Sequence, residues 1–214
     1  LKTVEIKLNP ALSPSQNAQK YYKEYHKQRT AEKMLTEQIN QAQQELQYLE
    51  TVFEELSRAG IERDLSEIRE ELMEQGYIRV PKGKKKNPVS LGPMKFKSTD
   101  GFEILVGRNN RQNDRLTMKQ AKKHDIWLHT KNIPGSHTII VTDGKQVSEK
   151  AIFEAATLAS YNSRGKDSTQ VPVDYTEVKN VSKPQGAKPG MVIYVKYKTI
   201  FVTPNSDYIE KLKI

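Results

Sequence analysis

Apolar and polar positions divide this chain into two regimes. From Leu35 the series Leu35, Ile39, Ala42, Leu46, Leu49, Phe53 and Leu56 advances by alternating steps of four and three, which is a heptad seam rather than a broad amphipathic face. Ala18, Tyr21 and Tyr25 share its register, while Gln28 and Glu32 interrupt it. Ser13-Pro14-Ser15-Gln16 supplies a helix start, with a capping Ser, Pro at the first helical position and Gln three residues on. The helix expected from residue 14 to about 57 is a rod of roughly 65 Å, too long to pack wholly on a small domain. Ala59-Gly60 ends it, Asp64-Leu65-Ser66-Glu67 reads as a second capping box, and Ile61, Leu65, Ile68 and Leu72 repeat the spacing. A short helix ending near Gln75-Gly76 is therefore expected to fold back along the base of the first. It covers little of the rod, so most of the seam needs an upstream helix or another chain. A solvated single helix is disfavoured by the cost of exposing Leu, Ile and Phe. Ahead of the rod, Val4 to Leu8 alternates like a strand, stops at Asn9-Pro10 and has no obvious partner.

The second regime follows Pro81-Lys82-Gly83-Lys84-Lys85-Lys86-Asn87-Pro88, a basic linker that marks a domain boundary. Beyond it short strands are expected at Met94 to Lys97, Glu103 to Val106, Ile126 to His129, Thr138 to Val141, Val171 to Val178, Val192 to Lys196 and Thr199 to Thr203. Ser98-Thr99-Asp100-Gly101 and Tyr197-Lys198 read as hairpin tips. A helix from Ser148 to about Tyr161 carries Ala151, Ala155, Ala156 and Ala159, small enough for close approach to a sheet. Another is expected around Asp114 to Lys122. The fold class is α+β: a long coiled-coil helix with a short return helix, then a mostly antiparallel sheet domain with one or two packed helices. The layout is residues 1–12, a coiled-coil region 13–80, the linker 81–90, the sheet domain 91–205 and a tail 206–214.

Composition supports one globular unit plus an extension, with 36% hydrophobic and 29% charged residues among 214. No apolar run approaches the length of a membrane span, and the amino terminus lacks the apolar core of a signal peptide. Zero cysteines exclude disulfides and thiolate metal sites. Starting with Leu rather than Met, and inside an expected strand, the chain reads as an excised fragment. Charge adds more. Residues 1–81 hold 11 Lys/Arg against 14 Asp/Glu, residues 82–131 hold 13 against 4, and residues 132–214 hold 11 against 8. The middle block alone equals the whole excess of +9. Such concentration suits a polyanion, because each neutralised phosphate releases counterions; a solubilising surface is the plain alternative.

Candidate chemistry gathers in Asp125 to Ile140. That stretch holds the only Trp, two of the four His and Pro134-Gly135, which suits a type II turn. Period-two alternation puts Asp125, Trp127 and His129 on one face of a half-buried strand. An Asp–His acid/base pair or a zinc site is conceivable from these residues and His124 and His137, yet no nucleophile, Walker loop or helical metal spacing accompanies them. The expectation is a binding module, not an enzyme, with no cofactor and no metal. Trp127 is read as a stacking platform, His129 and His137 as donors, and Arg108, Arg111, Arg115, Lys119, Lys122, Lys123 and Lys131 as a phosphate funnel. Asn109 and Asn110 extend the set through base-edge contacts, and Ser136 joins it at the turn. The plain readings are a core Trp and a cap of the next helix at Asn113 or Asp114. Lys183 or Lys188, in the Pro/Gly loop 183–190, is a weaker candidate for the same ligand.

The run Asp125 to Ile140, with Val106-Gly107-Arg108-Asn109-Asn110 upstream and Lys188-Pro189-Gly190-Met191 downstream, resembles the RNA-binding NFACT-R domain. The leading Leu8 to Tyr22 resembles the middle and coiled-coil region that precedes it in the NFACT family, the RqcH and FbpA-like fibronectin-binding proteins. The resemblance covers essentially the whole chain. It implies a cytoplasmic ribosome quality-control factor that binds stalled large ribosomal subunits and tRNA, supports alanine tailing and directs its coiled coil toward the stalk base. The family's tailing motif, an Asp-Arg pair, belongs to a region absent from this sequence, so no catalytic residue is carried over. The resemblance also makes Val4 to Leu8 a remnant strand of the middle domain and gives the seam an upstream partner. Without that partner the fragment is expected to self-associate through the seam; a strictly monomeric mass by light scattering at high concentration would contradict this. The competing function is a surface-displayed adhesin for fibronectin or fibrinogen, exported without a signal peptide. RNA binding predicts steep salt dependence and loss of binding on changing Arg108, Arg111 and Arg115 to Glu.

Overall fold

The computed structural model describes residues 3–79 and 91–214. The basic linker at 81–90 lies outside them. Contacts divide the chain into two units, residues 1–46 and 47–214. The fold is α+β, as expected.

Helix α1 spans Pro14–Arg58 and supplies most of the first unit. Its start uses the expected box: Gln16 N donates to Ser13 Oγ at 3.2 Å, and Ser13 N to Gln16 Oε1 at 2.8 Å. The expected strand at Val4 to Leu8 is not formed, because a strand needs a ladder partner and none of the described residues provides one. Asn17 holds the end of that segment instead, accepting from Asn9 N at 2.8 Å and donating to the Asn9 carbonyl at 3.0 Å. Among the described residues no helix is long and apolar enough to cross a membrane.

In the second unit α2, Glu62–Glu74, begins two residues before the expected box, with Ile61 at the cap position and no side-chain cap. It does fold back on the base of α1, but against a different face. Tyr48, Val52 and Ile68 are buried together, with Ala59, Leu72 and Tyr77 packed around them. The heptad seam stays open there: Leu49, Phe53 and Leu56 are exposed, as are Leu35, Ile39, Ala42 and Leu46 in the first unit.

The sheet comprises β1 (Met94–Lys97), β2 (Glu103–Val106), β3 (Ile126–Thr130), β4 (Thr138–Val141), β5 (Val171–Glu177) and, after the small pair β6 (Val181–Ser182) and β7 (Ile193–Tyr194), β8 (Lys198–Val202). Their order is β1-β2-β4-β3-β5-β8, antiparallel throughout. Helix α3 (Asn110–Arg115) continues into a π turn over Leu116–Gln120 before β3, so it begins four residues earlier than expected, with Asn109 as its cap. Tyr197-Lys198 is not a hairpin tip, since β7 pairs with β6 while β8 pairs with β5.

Both faces of the sheet are covered. On one, Leu128, Ile140, Val173 and Val202 pack under α4 (Glu149–Tyr161), whose Ala155, Ala156 and Ala159 permit the close approach that their size predicted. On the other, Trp127 and Ile139 pack with Leu116, Val178 and Val181. β3 is thus a central strand buried on both sides rather than half-buried. Residues 206–214, expected as a tail, form helix α5 (Ser206–Glu210) and return Ile209 and Leu212 to the α4 core; Lys97 N donates to the Leu212 carbonyl at 2.8 Å.

Candidate nucleic-acid interface

The segment Gly107 to Arg115 fastens α1 and α2 to the sheet. Asn109 accepts from Gln112 N at 2.9 Å as the cap of α3 and donates to Glu67 Oε2 at 2.6 Å, while Gln112 Nε2 donates to the same oxygen at 2.8 Å. Asn110 Nδ2 lies 2.8 Å from Thr51 Oγ1 and 3.3 Å from Glu71 Oε1. Both Asn side chains are buried. In this arrangement the amides expected to read base edges are bonded to carboxylates of α2. Gly190 is required beside them, because a Cβ there would come within 2.2 Å of Asn110 Oδ1 and its φ is +77°.

The expected funnel is dispersed. Arg111 pairs with Glu70 at 3.2 Å and Glu74 at 3.6 Å, and Arg108 Nε donates to the Gly92 carbonyl at 3.3 Å. Lys122 pairs with Asp143 at 2.9 Å. Lys131 lies beyond the far end of β3, 3.6 Å from Asp174 and 4.9 Å from the centre of the Tyr197 ring. Arg115, Lys119 and Lys123 are exposed and carry no ion pair among the described residues. The first two line an open groove of about 650 Å³ with Arg111, Asp114, Lys183 and α2 carboxylates. Lys183 is held by Asp114, which also accepts from Gly190 N at 3.0 Å, and Lys188 sits over the Tyr48 and Tyr77 rings at 5.4 and 5.0 Å.

The hairpin residues share a face as the alternation predicted, but that face is interior. Trp127 is 0% exposed, so it offers no open surface for a base to stack on. His129 lies parallel to it at 5.8 Å and 15°, Tyr194 leans on it at 4.8 Å, and His137 meets it edge-on at 5.3 Å. Burial holds both His imidazoles below their ordinary pKa, with the neighbouring His129 ring adding to the effect on His137. Asp125 pairs with no His: its carboxylate accepts from Lys122 N at 2.7 Å and Thr142 N at 2.9 Å, stapling the open end of the hairpin. Ser136 is buried and accepts from Arg58 at 3.0 Å. The chain reverses at Asn132, with φ 56°, and Gly135 takes no positive φ, so the type II turn is not formed. Gly135 is needed for closeness, since a Cβ would meet Ser163 Cβ at 2.7 Å. Among the described residues no group of three His, Asp, Glu or Cys is placed to hold a metal.

The sequence reading missed Glu67 and Glu71 as the partners of the Asn residues, and Tyr48 and Tyr194. Acidic residues on an amphipathic helix ordinarily signal a solvated face, so composition carried no hint of their burial.

Residues 1–90 match the family model for the NFACT N-terminal and middle domains, and residues 93–196 match the NFACT protein RNA binding domain. The Rqc2 homolog RqcH of Bacillus subtilis is 49% identical over 217 residues, covering 99% of this chain and 37% of that protein. The Rqc2 homolog RqcH of Streptococcus suis is 45% identical over 214 residues, with 100% and 38% covered. The chain therefore spans less than two-fifths of the length of these relatives. The solved C-terminal part of the fibronectin/fibrinogen-binding protein from Streptococcus suis superposes with a TM-score of 0.88 at 44% identity, over 96% of this chain and 82% of that one. With sequence identity and fold agreeing along nearly the whole chain, the protein belongs to the NFACT family, as a segment that joins its middle region to its RNA-binding domain.

Proposed function

We propose that this segment is the RNA-binding module of a ribosome quality-control factor, engaging large-subunit RNA and tRNA in the cytoplasm to support alanine tailing. One observation carries the reading: the part matching an RNA-binding domain presents exposed Arg115 and Lys119, without ion pairs among the described residues, on the wall of an open groove, with exposed Lys123 following in the chain. No catalytic step is assigned to it. The name borne by the Streptococcus suis homologue supports an adhesin reading by likeness alone.

The geometry redirects the charge-reversal experiment. Changing Arg115, Lys119 and Lys123 together to Glu in the full chain is expected to weaken tRNA binding and lower the slope of log affinity against log salt by roughly three, about one for each phosphate no longer neutralised. Arg111→Gln is expected to change that slope little, because Arg111 already serves Glu70 and Glu74. An electrophoretic mobility or anisotropy titration at several salt concentrations reads both. Unchanged tRNA affinity in the triple variant, or loss of fibronectin binding in its place, would remove the basis for this site.

A further inference from the structure

The two edges of the sheet end differently. Beside β1 the chain closes the edge itself, where Phe96 bridges Lys213 and Lys97 N donates to the Leu212 carbonyl. β8 stands last at the other edge and pairs with β5 alone. Pro172 on β5 shows which backbone groups of β8 are left over. Its carbonyl accepts from Lys131 N at 2.9 Å, so Pro172 turns its backbone toward β3, and the alternate residues Val171, Val173 and Tyr175 turn theirs toward β8. Their partners Val202, Ile200 and Lys198 are thereby engaged. Thr199 and Phe201 point N–H and C=O away from the sheet and make no backbone hydrogen bond there with another described residue.

The side chains that approach this edge are apolar where solvent meets them. Ile193, Val195, Tyr197 and Phe201 are 57%, 58%, 44% and 58% exposed, along one run in which Lys196, at φ 53°, turns the chain from β7 into β8. Lys131 reaches both the Tyr197 ring, at 4.9 Å, and the Thr199 hydroxyl, at 3.5 Å, so these two residues share a face, and alternation puts Phe201 on it. Lys198 lies on the other face, in line with Ile200 and the buried Val202. The surrounding charge has one sign. Between Glu177 and Asp207 the sequence holds five Lys and no Asp or Glu. A cluster of large exposed apolar side chains rimmed by charge marks a contact site for another molecule.

We propose that β8 is a docking edge for an extended segment of a partner protein in which apolar and acidic residues alternate. The segment adds as one further strand: its backbone bonds to Thr199 and Phe201, its apolar side chains lie on Tyr197 and Phe201, and its carboxylates meet Lys198 on the other face. Charge selects this occupant. A second copy of β8 would bring its own lysines to the rim in place of acids. Ile193 and Val195 offer no π face to a nucleobase, and strand-spaced N–H and C=O groups match a peptide backbone rather than a row of phosphates. The proposal does not depend on the RNA-binding reading.

The probe is a capped octapeptide of alternating Val and Glu, added to the full chain. Residue-resolved amide exchange by NMR is expected to slow at Thr199 and Phe201 and to stay unchanged at Ile200, which β5 already engages. Phe201→Pro deletes an outward N–H that the β5 ladder does not use, and should weaken binding of the labelled probe, read by fluorescence anisotropy, by roughly tenfold or more. Lys196→Glu combined with Lys198→Glu should lose the Val and Glu peptide and gain its counterpart of alternating Val and Lys. Thermal melts confirm that each variant is folded. Failure of the parent chain to bind the probe, or equal binding of the two peptides, would overturn the proposal. So would protection of Thr199 and Phe201 that grows with protein concentration without any peptide, which would assign the edge to a second copy. Protection of the same amides by a single-stranded RNA hexamer but not by the peptide would overturn it in favour of nucleic acid.

Discussion

Removing residues 206–214 is expected to unfold the sheet domain. Ile209 and Leu212 are 2% exposed and sit in the core beneath α4, and the same segment closes the edge of the sheet by bridging Phe96 to Lys213. Deleting one large buried aliphatic side chain costs about 2–5 kcal/mol. Losing two, together with the Lys97 to Leu212 backbone bond and the Tyr208 hydroxyl bond to Glu154 at 2.8 Å, approaches the roughly 5–15 kcal/mol margin of a whole domain. Far-UV circular dichroism of the truncated chain should show no cooperative melt of the sheet. Ile209→Ala alone should lower the melting temperature by several degrees. A truncated chain that melts like the intact one would show that the α4 core is complete without α5.

The second large effect lies at Glu71. Its Oε1 accepts from the Tyr48 hydroxyl at 2.7 Å and from Asn110 at 3.3 Å, while its Oε2 is buried and makes no hydrogen bond. Desolvation raises its pKa above the ordinary 4.5, and raises that of Glu55 further, with repulsion from Glu71 adding to it. A carboxyl whose folded pKa lies above its unfolded value stabilises the fold fully below about pH 4.5, and loses that contribution as pH rises through the folded value. Glu71→Gln keeps the accepting oxygen and removes the buried charge. Relative to the parent chain it is therefore expected to gain stability as pH rises from 5 to 8. Glu71→Ala leaves the Tyr48 hydroxyl and the Asn110 amide short of an acceptor and should cost about 2–4 kcal/mol at either pH. Urea midpoints of the three proteins at pH 5 and 8 check this. Comparing them at each pH also cancels the opposite contribution of His129 and His137, whose lowered pKa values stabilise the fold above about 6.5 and cease to as pH falls through them. Parallel pH profiles for the parent and Glu71→Gln would show that the buried carboxyl is not strained.

The strands at Met94, Glu103 and Thr138 were legible to the residue, because short alternating runs bounded by turn residues leave few other conformations. The cap at Ser13 and the alanine face of α4 were equally readable, since both depend on neighbours within one turn or one helix face. The site was not. Arg111 and Arg115 look alike in sequence, yet only the path of α2 puts Glu70 and Glu74 against one and leaves the other open. Period-two alternation placed Trp127 and His129 on one face but gave no sign that Leu116, Val178 and Val181 would cover it.

Local propensity, periodicity and contiguous motifs were enough to set the α+β class, the order of the principal elements, the concentration of positive charge and the family. Packing in three dimensions decided the rest: which side of α1 meets α2, that residues 206–214 complete a core, which cations remain without ion pairs among the described residues, and that the hairpin at Asp125 to Ile140 buries its Trp127 indole. Those outcomes depend on contacts between residues tens of positions apart, whose burial and pairing no local pattern encodes.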